Sequence, residues 1–493
     1  MILRQAKLLG GAEGHLVDIV IVDGTISQIA PAGTLTVDAA HEEIVLDGRV
    51  IIPGLWDEHV HMGVWAGQRK TISLAAATTA AEAAGLMAAG APENEEIVVG
   101  VAYRDGFWPD RKTKALLDQY APTTAWVLWS VDVHSCWLNS AACALLGVET
   151  TDDSGVLQER DAFALAEKMA ARTASSLDAL VDEAAAQAAS RGVVGIVDLD
   201  LADNRNNWMR RRAGSTEFSL RVEAGVYPEW LDLAVANGDF TGKEIAPGVR
   251  VGPLKVITDG SLNTRTAFTV EPYLGVEGGD RGQMNYSGDY LEQLLVKAKE
   301  HGFLPAYHAI GDRANKEVLD LFEQVGVGGR IEHAQLLRRE DLQRFAGLGV
   351  TASVQPQHAI DDREVADRYW ADRTERVLPL RWLVDSGAQV VFGSDAPVSP
   401  LDPLVQIAAA VARTDDQRPP WHGEHALTVL EAISCSTRST LEVGQPADIV
   451  ALGADPLWLE GALSGQPGTL YSAIASLPVD LTLVDGRVSH SAL

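Results

Sequence analysis

Eight short strand-like runs, most of them apolar, constrain what this chain can fold into more than any other feature. They lie near 49–53, 193–199, 218–226, 250–257, 303–308, 330–333, 350–355 and 389–394, with helical patterns such as Asp289 to His301 and Asn315 to Val325 between several of them. Apolar strands alternating with helices pair in parallel through helical crossovers, and eight such units close into a (β/α)8 barrel. The expected fold class is therefore α/β, a TIM barrel. A second regularity sits on the first. Polar residues able to bind a metal stand at the strand-like runs in one order: His59 and His61 in Pro53–His61, then Lys255, His308, His333 and Asp395. In a barrel, the C-terminal strand ends converge on one mouth, where active sites are built. Imidazoles and a carboxylate meeting there suit a divalent metal such as zinc.

The bulk numbers agree with a soluble enzyme-sized chain. Its 493 residues suit a barrel plus a satellite domain, and 46% apolar with 22% charged residues is ordinary globular composition. Charges in Met1–Lys7 interrupt the apolar stretch a signal peptide requires, and no run approaches the roughly 18 apolar residues of a membrane span. Three cysteines, Cys136, Cys143 and Cys435, make neither a disulfide framework nor a C-x-x-C pair, which fits a cytoplasmic location. With 68 acidic against 40 basic residues, the net charge of −28 argues against nucleic acid and anionic membrane as partners. It leaves a small-molecule substrate as the expected partner.

Both termini read as sheet. Asp18–Ile26 carries Asp-Gly between β-branched runs, a hairpin signal that Val479–Val488 repeats, and Gly444–Leu452 adds another strand. Residues 1–48 and 436–493 are expected to fold together as a composite β-sandwich, with the barrel at 49–435 inserted between them. The barrel in turn holds an insertion at about 62–190, after its first strand. That segment has its own strands (Glu96–Tyr103, Trp126–Asp132), an Ala-rich helical stretch from Ala162 to Arg191, and many aromatics, Trp108 among them. It is expected to lie over the barrel mouth.

Residue chemistry narrows the site. His59 and His61 are two apart, so on a strand both reach one face and one cation. Lys255 lies inside the apolar run Gly252–Ile257, where burial lowers an amine's pKa. A neutral amine can take up carbon dioxide as a carbamate able to bridge two metals; the alternative is an ion pair with a nearby acid such as Asp259. Asp395 closes Gln389–Ser394, and a carboxylate there is costly unless a cation or hydrogen bonds compensate.

In these motifs the chain resembles the amidohydrolase superfamily, within it the YtcJ-like metal-dependent hydrolases, a branch that includes N-substituted formamide deformylases. The matching stretches are Pro53–His61, Lys255–Ala267, His308–Ala314, Arg330–Gln335 and Gly393–Val398, with looser matches at Asp132–Ala142 and Gly444–Val450. The resemblance implies two zinc ions per chain. His59 and His61 would bind the more buried with Asp395, His308 and His333 the more exposed, and carboxylated Lys255 would bridge them. It further implies a homodimer and Asp395 as the catalytic acid–base group. The activity implied is hydrolysis of a non-peptide C–N bond in an N-formyl or N-acyl amide. Cyclic-amide hydrolysis, deamination, and a non-catalytic assembly role are the alternatives; Lys255 and a complete ligand set favour the amide. Substrate contacts are expected at Trp108, His134, Asp259, Arg265, Asp312, Gln355 and His358. Asp57 is a candidate hydrogen-bond partner for a ligand imidazole.

Overall fold

A computed structural model describes residues 1–12, 14–35, 42–67, 71–92, 95–150, 152–213 and 218–493. The chain divides into two units, one of residues Met1–His61 and Ala184–Leu493, the other of Met62–Glu183.

The larger unit is built on eight parallel strands: β1 (Leu55–Val60), β2 (Val193–Asp198), β3 (Arg221–Val226), β4 (Val249–Ile257), β5 (Pro305–Ala309), β6 (Gly329–His333), β7 (Val350–Val354) and β8 (Val390–Phe392). They pair in the order β8-β7-β6-β5-β4-β3-β2-β1. Beyond β8 the chain returns to β1. Asp395 N–H donates to His59 O at 2.7 Å, and His61 N–H to Ala396 O at 2.9 Å, nearly closing the barrel. Gly393 permits this approach, because a Cβ there would stand 2.6 Å from His59 Cβ. Helices such as Gly288–His301 and Asp312–Val325 turn apolar faces (Leu291, Leu295, Val318, Phe322) onto the strands. No helix among the described residues is long and apolar enough to cross a membrane.

One strand differs from expectation. The run at 49–53 is no barrel strand: Val50–Pro53 pairs with Ile2–Leu8 and with Ile449–Leu452 in the sheet made by the two termini. The first barrel strand is instead Leu55–Val60, wholly buried although it contains Asp57, Glu58 and His59. Three polar residues in six hide a strand from an apolar-run reading. The terminal strands form one hydrogen-bonded path, Arg487–Ser491, Val479–Val484, Ile449–Leu452, Val50–Pro53, Ile2–Leu8, Val17–Val22 and Thr25–Pro31, with Glu43–Val45 beside Ile2–Leu8. Residues from both ends share its core, Leu3, Ile19 and Ile51 with Ile449, Leu481 and Leu483. The two Asp-Gly turns adopt the left-handed conformation that such hairpins need, at Asp23-Gly24 (φ 48° and 75°) and Asp485-Gly486 (φ 50° and 68°). Arg221 of β3 binds Asp448 through both terminal nitrogens, at 2.6 and 3.0 Å, tying barrel to terminal sheet.

The smaller unit holds a five-stranded sheet, in the order Val156–Gln158, Ser135–Leu138, Ala125–Ser130, Ile97–Tyr103 and Ile72–Ser73. Trp126, Trp129 and Trp137 are buried in its apolar clusters. The helix Arg160–Ala189 then carries the chain out of it.

Candidate metal centre

Strand ends gather the polar residues. His59 is near the end of β1 with His61 just beyond it, Lys255 lies in β4, His308 in β5, His333 ends β6, and Asp395 follows β8. Asp395 Oδ1 lies 3.1 Å from His61 Nε2 and 3.5 Å from His59 Nε2. Lys255 Nζ is 3.3 Å from that same His59 Nε2. The His333 ring neighbours both His59 and His308, with centroids 4.9 and 4.6 Å away. Among the described residues, two sets of donor atoms are close enough to hold a cation, each within 4.8 Å: His59, His61 and Asp395, and His333, His358 and Asp395. Asp395 is common to both. His333 and Asp395 also take left-handed backbone conformations, φ 72° and 55°, a strain of roughly 1–3 kcal/mol each that concentrates at functional sites.

His358 enters a donor set, and His308 stands in neither. His358, expected as a substrate contact, joins the second donor set: its ring is parallel to His333 within 13°, and its Nε2 is 3.9 Å from Asp395 Oδ2. His308 turns its Nδ1 toward Asp259 Oδ1, 3.0 Å away but not aligned as a hydrogen bond.

Burial and neighbouring charge set the protonation states. Burial, assisted by Lys255, pulls His59 down to about 4. Burial and then His308 hold His333 well below the usual imidazole range. Burial opposes a charged His61, but the hydrogen bond and charge of Asp395 outweigh it and raise its pKa. Burial likewise opposes ionised Asp395, yet His59, His61 and His333 hold it well below the usual carboxylate range. Lys255 is pushed down to about 8 by burial, against the pull of Glu332 and Asp395. Near neutral pH this leaves His59 and His333 neutral beside an ionised Asp395, the forms in which they coordinate metals. His333 Nδ1, His358 Nε2 and Gln355 Nε2 are buried without hydrogen-bond partners. Buried polar atoms are nearly always satisfied, so the two orphaned imidazole nitrogens beside a shared carboxylate fit a bound divalent cation, and the Gln355 amide is left as a free donor.

An interior charge chain lies beneath the centre, and sequence reasoning missed it. Glu332 Oε2 is 2.7 Å from His59 Nδ1, and its Oε1 accepts from Arg330 Nε at 2.9 Å. Arg330 also donates to Glu58 Oε2 (2.8 Å) and Ser353 Oγ (3.1 Å). Arg438 binds Glu58 at 2.6 and 2.7 Å and Glu223 at 2.5 Å, its guanidinium 3.7 Å from the Trp56 ring centre. The available signal was Arg330 and Glu332 at i and i+2 in one strand, which puts both on one face. Asp57 does not hold an imidazole; its Oδ1 accepts the His59 and Ser394 amides at 3.1 and 2.9 Å.

The remaining candidates separate cleanly. Asp259 makes no ion pair with Lys255, because its carboxylate accepts the Phe268, Ile310 and Gly311 amides at 2.9, 3.1 and 2.9 Å. Asp312, the first residue of its helix, spends its carboxylate on Val270 N–H (2.8 Å) and Arg376 (3.1 Å). Both carboxylates thus bind the loop after β4, and Asp259 also stands beside His308. Arg265, half-buried and left-handed (φ 60°), packs its guanidinium over Tyr369 at 5.4 Å. Gln355 lies buried just past β7. His134 and Trp108 belong to the smaller unit, where His134 Nδ1 is 2.9 Å from Glu159 and Trp108 donates to Ala77 O at 3.2 Å.

Comparison with known proteins agrees with this geometry. The model of the amidohydrolase family matches residues 42–490. The YtcJ protein of Bacillus subtilis (strain 168) is 29% identical, over 91% of this chain and 90% of its own. The N-substituted formamide deformylase of Arthrobacter pascens is 24% identical, over 93% and 94%. Among solved structures, an uncharacterised metal-dependent hydrolase of Pyrococcus horikoshii OT3 superposes with a TM-score of 0.78 at 24% identity, covering 92% of this chain and 98% of its own.

Proposed function

The chain belongs to the amidohydrolase family, and from that premise we propose that it is a metal-dependent hydrolase cleaving a non-peptide C–N bond, that of an N-formyl or N-acyl amide. The observation that carries this is the pair of donor sets sharing Asp395, with orphaned His333 and His358 nitrogens beside it. The formamide deformylase among its relatives supports the choice of bond. Two metal sites are proposed, occupied by zinc. His59, His61 and Asp395 would hold one ion, and His333 with its neighbours His308 and His358 the other. Lys255, with its amine brought down to about 8, would be carboxylated and link the two.

A divalent metal supplies a Lewis acid that polarises a carbonyl and makes water a competent nucleophile near neutral pH. Asp395, ionised and central, would take the proton of the attacking water and return it to the leaving nitrogen. Gln355, whose Nε2 has no protein partner, would donate to a substrate oxygen. The chain is further proposed to act as a cytoplasmic homodimer on a small-molecule substrate.

The test is amine release from N-formyl amines, N-acyl amino acids and cyclic amides by zinc-loaded enzyme. Release from the first two groups, abolished by chelation, is expected. Turnover confined to cyclic amides, or activity indifferent to chelation, would overturn the amide reading.

A further inference from the structure

His59 has two nitrogens, and only one can face a cation. Its Nδ1 lies 2.7 Å from a carboxylate oxygen of Glu332, at full burial for both residues. Glu332 is kept as an acceptor by Arg330, whose Nε binds its other oxygen at 2.9 Å. A lone pair on Nδ1 would then meet a carboxylate lone pair at 2.7 Å, so Nδ1 must carry the proton. The other nitrogen, Nε2, faces the first donor set, 3.3 Å from Lys255 Nζ and 3.5 Å from Asp395 Oδ1.

We propose that Glu332 is the positioning residue of the centre, fixing His59 as the Nδ1–H tautomer so that its Nε2 lone pair is presented to the metal. The interior chain from Arg438 through Glu58 and Arg330 holds Glu332 in place. Metal affinity at the mouth is thereby set in part from the opposite, N-terminal end of the strands, where Leu55 bridges to Thr437, the neighbour of Arg438. A carboxylate behind a ligand imidazole fixes the ring and raises its basicity, and removing one lowers metal affinity by about 10–100-fold. Glu332 touches no reacting atom, and Asp395 lies on the far side of the ring from it.

This inference rests on the metal-site reading above, and the experiment separates the two. Neutron diffraction from perdeuterated, metal-free protein locates the deuteron on His59. Density on Nδ1 is expected; density on Nε2 overturns the proposal whether or not the variants fold. Zinc affinity is then measured by competition with a chromophoric chelator in wild type, Glu332→Gln and Arg438→Met. A loss of about 10-fold or more is expected in Glu332→Gln, with a smaller loss in Arg438→Met. Wild-type affinity in Glu332→Gln would refute the positioning role. If wild-type protein binds no zinc, manganese or iron, the metal-hydrolase reading fails, while the deuteron still decides the tautomer.

Discussion

Two buried polar clusters share the interior of one barrel, and they are built to opposite rules. Beneath the mouth, Glu58, Arg330, Glu332, Arg438 and Ser353 bind one another through ion pairs and hydrogen bonds, and none has an unpartnered buried atom. At the mouth, His333 Nδ1, His358 Nε2 and Gln355 Nε2 are equally buried and have no partner. Burying a polar group without a partner costs free energy that only a further ligand can return. The lower cluster is complete as folded, whereas the upper one is complete only with something bound. His59 belongs to both, with one nitrogen in each.

The comparison can be broken most directly at Asp395. Asp395→Asn should lower kcat by about 10²–10⁴-fold while leaving the thermal midpoint close to wild type. A large fall in the midpoint with kcat preserved would exchange the roles of the two clusters. Arg330→Met is the converse probe. It leaves Glu332 without a cationic partner and Glu58 with Arg438 alone, and breaking a buried pair costs about 3–5 kcal/mol, read as a lower urea midpoint. A loss below about 1 kcal/mol would mean that the lower cluster does not hold the barrel together.

Chelation should lower the thermal midpoint and added zinc restore it, with stabilisation of about 2.7 kcal/mol at 100 times Kd. The same series in Asp395→Asn should show a smaller return. The smallest effect concerns His425, a buried histidine of neither cluster. Its Nε2–H donates to Glu375 O at 2.8 Å, and burial holds it down to about 4. The unfolded chain takes up that proton below about 6.5, the folded chain only below about 4. Stability from this group is thus intact above pH 6.5 and lost as pH falls through that window, on the order of 1 kcal/mol. Urea unfolding of wild type against His425→Gln between pH 7 and 4.5 checks it; a wild-type loss no larger than the variant's removes the assignment. His425 Nδ1 is also unpartnered, so one orphaned nitrogen does not make a metal site. Convergence on a shared carboxylate does.

Much of the fold was legible, and the failure has a cause. Seven of the eight barrel strands coincide with the strand-like runs of the sequence, and the two Asp-Gly hairpins announce themselves locally. The first barrel strand escaped because Asp57, Glu58 and His59 fill its middle, while the apolar Val50–Pro53 nearby looked more like a strand of the barrel. At the site, the metal-binding residue types at strand ends were readable, because parallel strands in a barrel all open at one mouth. Their grouping was not. His358 stands on a short helix after β7, with nothing in its neighbourhood to separate a donor from a substrate contact.

Local patterning alone therefore determined the alternation of strands and helices, the order of the donors along the chain and the turns at both ends. These depend on periodicity and on the conformational needs of single residues, which neighbours in sequence reveal. Tertiary closure decided which donors share a carboxylate, that Glu332 rather than Asp57 stands behind His59, and that Asp259 and Asp312 serve the loop. Glu332 and His59 are 273 residues apart, and they meet because β6 and β1 face each other across a nearly closed barrel. A hydrogen bond of that span is a product of the sheet's curvature and register, which no stretch of the chain carries by itself.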